Sequence, residues 1–200
     1  MRPAILAPGL QPPWSGFLSD PHPGDHLLQL YRDDGRLVDV VSLFAGAGLL
    51  EGDAVVLVAT PPHVDAVTRR LAAAGFDVDA VRRWGQLWVF DAATLLSRFL
   101  RNGLLDAEAF DAIVGRTLDE ARAAARRRRV RVFGEMVDLL WKQNLEATRQ
   151  LEELWNKTVE ARSVSLLCSY HLEPEAGSPE SFPLSLHQAH SRHIPLEAPA

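Results

Sequence analysis

Short continuous apolar runs alternate along this chain with stretches whose apolar positions recur every three to four residues. Ala54-Val55-Val56-Leu57-Val58-Ala59 is the clearest run, with no polar side chain in it, as expected of a strand covered on both faces. Leu87-Trp88-Val89-Phe90, Val130–Phe133 and Val164–Ser169 read the same way, His26–Tyr31 is a shorter apolar segment, and Val78–Val81 has the weakest strand signal. Between the runs, Leu37, Val40, Val41 and Phe44 fall at i, i+3, i+4 and i+7, a helical stripe that runs into Gly46 and Gly48. Val64, Val67, Thr68 and Leu71 define a second helix, which Thr60 can cap, Pro61 can open and Gly75 can end. Helices are expected over Ala92–Arg101, closed by Gly103, and over Asp106–Arg126. A long helical tract follows from Glu135 to Ala161, with a break near Asn144 left open. Strands separated by helices imply right-handed crossovers. The expected fold is therefore α/β, in three layers, with a mostly parallel central sheet flanked by helices.

The two ends differ from this middle. Residues 1–24 contain six prolines and no period, and residues 173–200 contain five prolines and three histidines. They read as a flexible N-terminal segment and a poorly ordered tail around a compact domain over residues 25–172. With 47% apolar residues in a chain of 200, a sizeable core can form without disulfides or a structural metal. The single cysteine, Cys168, excludes an internal disulfide. A net charge of −5 argues against a nucleic-acid surface, which needs a concentrated positive face. The Arg126–Arg129 run with Arg131 follows a helix end and precedes a strand, where cations complement the helix dipole. No run reaches the roughly 20 apolar residues that cross a bilayer, and Met1–Leu10 lacks a secretory pattern. A soluble, cytoplasmic protein is expected, without membrane or nucleic-acid partners.

Parallel strands point their C-terminal ends at one edge of the sheet, where open α/β folds bind ligands. The polar residues there are Thr60 with His63 beyond it, Asp91, Glu135, and Ser169 with Tyr170. Thr60, Asp91, Glu135 and Tyr170 are expected to gather around one hollow; the competing reading is that such residues cap the helices that follow. The turn Ala59-Thr60-Pro61-Pro62-His63 stands where a phosphate loop is expected. Two prolines there remove backbone donors, and neither the glycines nor the lysine of such a loop is present. There is no nucleophile elbow, no convincing metal motif and no glycine-rich dinucleotide turn. No enzyme activity, cofactor or metal is therefore assigned.

Trp141 and Trp155 are fourteen residues apart and share a face if their helix is unbroken. They are core residues, or Trp141 walls an apolar pocket. His26 and Tyr31, five apart, would not point together on a regular helix. Cys168 reads as a small apolar strand residue. His187, His190 and His193 would meet a metal only if the tail were helical, which its prolines disfavour.

These motifs, taken in order, resemble the methanogen/methylotroph sensory (MEDS) domain. The series is Asp25-His26 with Tyr31, Gly48-Leu49 with Glu51-Gly52, Ala59-Thr60-Pro61 with His63, and Asp91-Ala92 with Leu95 and Phe99. It continues with Gly134-Glu135-Met136-Val137 and Leu139-Leu140-Trp141, Leu151-Glu152 with Leu154-Trp155-Asn156, and Leu166-Leu167-Cys168 with Tyr170. The resemblance implies a RecA/KaiC-like fold that has lost its phosphate loop. It also implies a non-catalytic signal-input module, similar to the one in a dichloromethane-responsive regulator, that senses simple hydrocarbon derivatives in prokaryotic signal transduction. His26, Tyr31, Thr60, His63, Asp91, Glu135 and Tyr170 would orient the ligand, with Trp141 as a wall. The chain departs from the pattern at Lys142-Gln143-Asn144, where a glycine-containing turn is expected. No output domain follows Tyr170, so the signal would pass to a histidine kinase or transcription regulator in trans, or through a homo-oligomer. The alternative is an interaction module that docks such a partner without a small ligand.

Overall fold

The computed structural model describes residues 14–126, 129–173 and 182–196. Its centre is a six-stranded sheet of β1 (His26–Tyr31), β2 (Ala54–Ala59), β3 (Leu87–Asp91), β6 (Val130–Gly134), β7 (Ser165–His171) and β8 (Arg192–Ile194). The order is β3-β2-β6-β7-β1-β8 and every pairing is parallel. A separate hairpin joins β4 (Leu100–Arg101) to β5 (Leu104–Leu105). On one face lie α1 (Ser15–Ser19), α2 (Asp34–Glu51), α3 (Pro61–Ala73) and α4 (Val78–Arg83). The other face carries α5 (Ala92–Leu96), α6 (Ala107–Phe110), α7 (Arg116–Ala124), α8 (Met136–Trp141), α9 (Leu145–Arg162) and α10 (Leu184–Gln188). The central strands are buried on both faces, which explains runs such as Ala54–Ala59: alternate residues enter two different cores.

Several elements differ from the sequence reading, each for a local reason. α2 does not stop at Gly46 or Gly48 but runs to Glu51 and ends at Gly52, whose φ of 81° suits glycine. Gly48 instead makes room: a Cβ there would lie 2.7 Å from Arg131 Cδ. Arg131 is 1% exposed, and its guanidinium donates to Asp53 at 2.8 Å and to the carbonyls of Leu18, Ser19 and Phe44. It is thus committed to the interior. Val78–Val81 is helical because Asp77 caps it, accepting from the Ala80 N–H at 2.9 Å. The helix expected over Ala92–Arg101 is shorter, because Asn102 and Gly103 adopt φ of 53° and 77° and turn a hairpin. The Asp106–Arg126 helix contains a π-helical turn, Asp111–Gly115, between α6 and α7.

The tract after Glu135 is broken. Asn144 caps α9 through the Ala147 N–H at 2.9 Å, and its amide donates to the Gly103 carbonyl at 3.2 Å. Trp141 and Trp155 therefore lie on different helices. Trp155 is fully buried and meets Phe110 edge-on at 5.3 Å. Trp141 is partly buried and meets Tyr170 edge-on at 6.1 Å. Of the tail, residues 182–196 are ordered as α10 and β8, the latter paired with β1, whereas residues 174–181 and 197–200, like 1–13 of the N-terminal segment, lie outside the described residues. Phe182, Leu186 and Ile194, each at most 3% exposed, anchor that segment against the two cores.

Candidate functional site

At the C-terminal ends of β2 and β6 the chain leaves the sheet in opposite directions. α3 buries Val67 and Leu71 on one face, whereas α8 buries Met136, Val137 and Leu140 on the other. Adjacent parallel strands with diverging connections open a crevice between them, the usual ligand position in open α/β sheets. Thr60 and Glu135 stand at this point, each the residue before its helix, yet neither side chain caps it. They bond to each other instead. The Thr60 N–H donates to Glu135 Oε2 at 2.7 Å, and the Thr60 hydroxyl lies 3.2 and 3.3 Å from the two carboxylate oxygens. His63 Nδ1 donates to Glu135 Oε1 at 2.6 Å, while its Nε2 faces Asp34 Oδ1 at 3.5 Å. The hydrogen bond to Glu135 raises the His63 pKa, with burial opposing. Tyr31, at the end of β1, presents its ring edge-on to His63 at 6.3 Å. Burial above all holds the Tyr31 hydroxyl protonated. Asp138 on α8 accepts from the His171 N–H at 2.8 Å and from Trp141 Nε1 at 2.9 Å, and burial raises its pKa.

The rim therefore brings together Tyr31, Thr60, His63 and Glu135. It does not bring in the other four residues read from the sequence, so the single hollow of Thr60, Asp91, Glu135 and Tyr170 is not formed. Asp91 is a helix cap, accepting from the Thr94 N–H at 2.7 Å. Tyr170 points to the opposite face of the sheet from Tyr31 and His171, because it alternates with its strand neighbour. His26 begins β1, five residues from Tyr31; on a strand that odd spacing also puts the two on opposite faces. Trp141 meets Tyr170 edge-on and donates to Asp138. Neither rim turn can cradle a phosphate. The turn after β1 offers the carboxylates of Asp33 and Asp34, and the turn after β2 offers prolines.

His26 and Tyr170 belong to a second group, buried under α9. There Glu152 accepts from the Tyr170 hydroxyl and faces His26 Nε2 at 3.4 Å and His190 Nε2 at 3.4 Å. Cys168 Sγ lies 3.3 Å from His26 Nε2 and 4.0 Å from Glu152. Burial, then the neighbouring His190, lowers the His26 pKa to about 4, so its imidazole is neutral. Burial also pushes the Cys168 thiol up. In the tail, His187 and His193 meet edge-on at 5.1 Å, while His190 turns inward. In the sequence Glu152 and Asn156 stand only as members of the motif series, with no site role, and the inward turn of His190 is not foreseen. The available signals were a carboxylate in the apolar stripe Thr148, Glu152, Trp155 and Val159, and the i, i+2 pair Cys168 and Tyr170 on one strand face.

Fold and rim together define an open α/β domain with an acid–imidazole pair at its crevice and no phosphate cradle. The MEDS profile, described as the methanogen/methylotroph, DcmR sensory domain, matches residues 25–178. The chain belongs to this family of sensory domains. No curated protein matches it. Among solved structures it is similar to a KaiC-like protein from the hyperthermophilic archaeon Pyrococcus horikoshii OT3, with a TM-score of 0.50 and 15% identity. The alignment covers 78% of this chain and 64%, just under two thirds, of that one. At such identity the likeness concerns the fold alone, and it agrees with the RecA/KaiC-like architecture. No helix among the described residues is long and apolar enough to cross a membrane.

Proposed function

We propose that this domain is a non-catalytic signal-input module whose rim crevice binds a small, largely apolar molecule, a simple hydrocarbon derivative. The observation that carries this is the Glu135–His63–Thr60 group at the point where α3 and α8 diverge. His63, with 13% of its side chain exposed, offers one polar handle, and the adjacent Tyr31 ring offers an apolar wall. A ligand of three heavy atoms gains at most about 1.5 kcal/mol per atom. That is roughly 4.5 kcal/mol, or a dissociation constant of about 0.5 mM. Detection then depends on shifting a two-state element rather than on tight capture. A panel of halogenated and methylated C1–C2 compounds, tested for shifts of melting temperature, decides the matter. At least one should raise the wild-type Tm and lose that effect in His63→Ala; a flat response across the panel sinks the reading.

A second reading is a docking module for a histidine kinase or transcription regulator supplied in trans. Trp84 supports it: this tryptophan is 68% exposed, and tryptophan is a favoured anchor at protein interfaces. On that reading Trp84→Ser abolishes association with the kinase and leaves any ligand-induced Tm shift unchanged.

A further inference from the structure

We infer that His26, Glu152, Cys168 and His190 form a binding site for one divalent transition-metal ion of the zinc class, in the interior and apart from the rim crevice. All four residues are buried, and one ligand atom from each lies within 4.8 Å of the others. A tetrahedral zinc site with bonds of about 2.0–2.3 Å separates its ligand atoms by roughly 3.3–3.7 Å. His26 Nε2 lies 3.3 Å from Cys168 Sγ and 3.4 Å from Glu152 Oε2, which is 4.0 Å from Cys168 Sγ, while His190 Nε2 lies 3.4 Å from the other carboxylate oxygen, Oε1. Drawing the four ligand atoms together from within 4.8 Å to that spacing would complete a coordination sphere.

The surrounding hydrogen bonds present the right atoms. His190 Nδ1 is 2.7 Å from the Leu186 carbonyl, which can only accept, so Nδ1 carries a proton and Nε2 is the nitrogen turned toward Glu152. That Nε2 is buried and has no hydrogen-bond partner. His26 Nδ1 is likewise 2.8 Å from the Asn156 amide oxygen, which leaves its Nε2 lone pair facing inward. Metal-bound histidines are typically fixed in this way, with the second ring nitrogen donating to a carbonyl. Tyr170 donates to Glu152 and orients the carboxylate.

Two imidazole Nε2 atoms, a thiol and a carboxylate thus converge in a dry interior, a donor set that suits a cation. Cys168 would bind as the thiolate, releasing its proton to solvent. The thiolate and the Glu152 carboxylate then balance a divalent charge, giving a neutral centre with no change in oxidation state. Sulfur and imidazole donors favour zinc-like ions over magnesium or calcium. A cleft of about 250 Å³ between α9 and α10, with Glu152, Asn156, Leu186 and Ala189 in its wall, is the side from which an ion would approach.

The test is a cobalt(II) titration of tag-free, chelator-stripped protein, followed by visible and near-ultraviolet absorption. The expected result is one equivalent bound, with the bands of a tetrahedral ion and a sulfur-to-cobalt charge-transfer band, all displaced by zinc. Since Cys168 is the only cysteine, the wild-type band identifies the ligand even if Cys168→Ser fails to fold. His190→Gln should weaken binding by about 100-fold or more. Asn156→Leu, which removes only the positioning contact, should weaken it by roughly 10–100-fold. No uptake by the wild type, uptake without the thiolate band, or a band that survives Cys168→Ser overturns the assignment. None of these outcomes bears on the rim, whose reading is judged by the Tm panel.

Discussion

Glu135 and Glu152 are each 2% exposed or less and each faces histidine, yet their surroundings treat the imidazoles in opposite ways. At the rim, Glu135 accepts from a backbone N–H, a hydroxyl and an imidazole, and the hydrogen bond raises the pKa of His63. In the interior, the ring nitrogens approach Glu152 no closer than 3.4 Å, and burial lowers the pKa of His26 to about 4. The difference lies in contact and dielectric, not in residue type. A short hydrogen bond to a partly exposed histidine outweighs its desolvation; a longer approach in a dry core does not.

The contrast can be broken most forcefully at Glu152. Glu152→Ala removes the acceptor of the buried Tyr170 hydroxyl and leaves a cavity beside it, and should cost about 2–5 kcal/mol, measured by urea denaturation followed by far-ultraviolet circular dichroism. A loss below that scale would mean the interior group is held by packing alone. Glu135→Gln keeps the shape but removes the charge-assisted acceptor, and should cost roughly 1.5–3 kcal/mol in the same assay.

The pH dependence of the rim sharpens the comparison. The folded-state pKa of His63 lies above its unfolded value. Its contribution is therefore complete below the unfolded pKa of about 6.5 and is lost as pH rises through the higher folded value. Wild-type stability minus that of His63→Gln should shrink between pH 6 and pH 9, and Glu135→Gln should flatten the trend. The smallest effect is expected from Asp91→Ala. That change removes a helix cap at the surface and should alter neither the ligand panel nor the cobalt spectrum.

The parallel α/β fold was legible because its central strands are uninterrupted apolar runs, as in Ala54–Ala59, and because helices separate them. The rim was half legible. Thr60, His63 and Glu135 lie just past strand ends, where sequence position fixes spatial position. Face was harder to read: Tyr170 and His26 sit on strands, and only their register against Tyr31 and His171 assigns them to the opposite side. Least legible was the interior group, since His190 reaches it from a proline-rich segment that β8 ties to β1. Nothing local in that segment signals such a long-range pairing. Gly48 misled for a related reason, because its role is to admit Arg131 from a distant strand.

The break at Asn144 leaves α8 only six residues long, about 9 Å. That stub begins beside Glu135 and ends at Trp141, whose ring rests against Tyr170, the donor to Glu152. One short rod thus links the rim carboxylate to the tyrosine that bonds the interior one, and tilting it would be felt at either end. An uninterrupted helix over the same stretch would have carried Trp141 and Trp155 as a single stiff body.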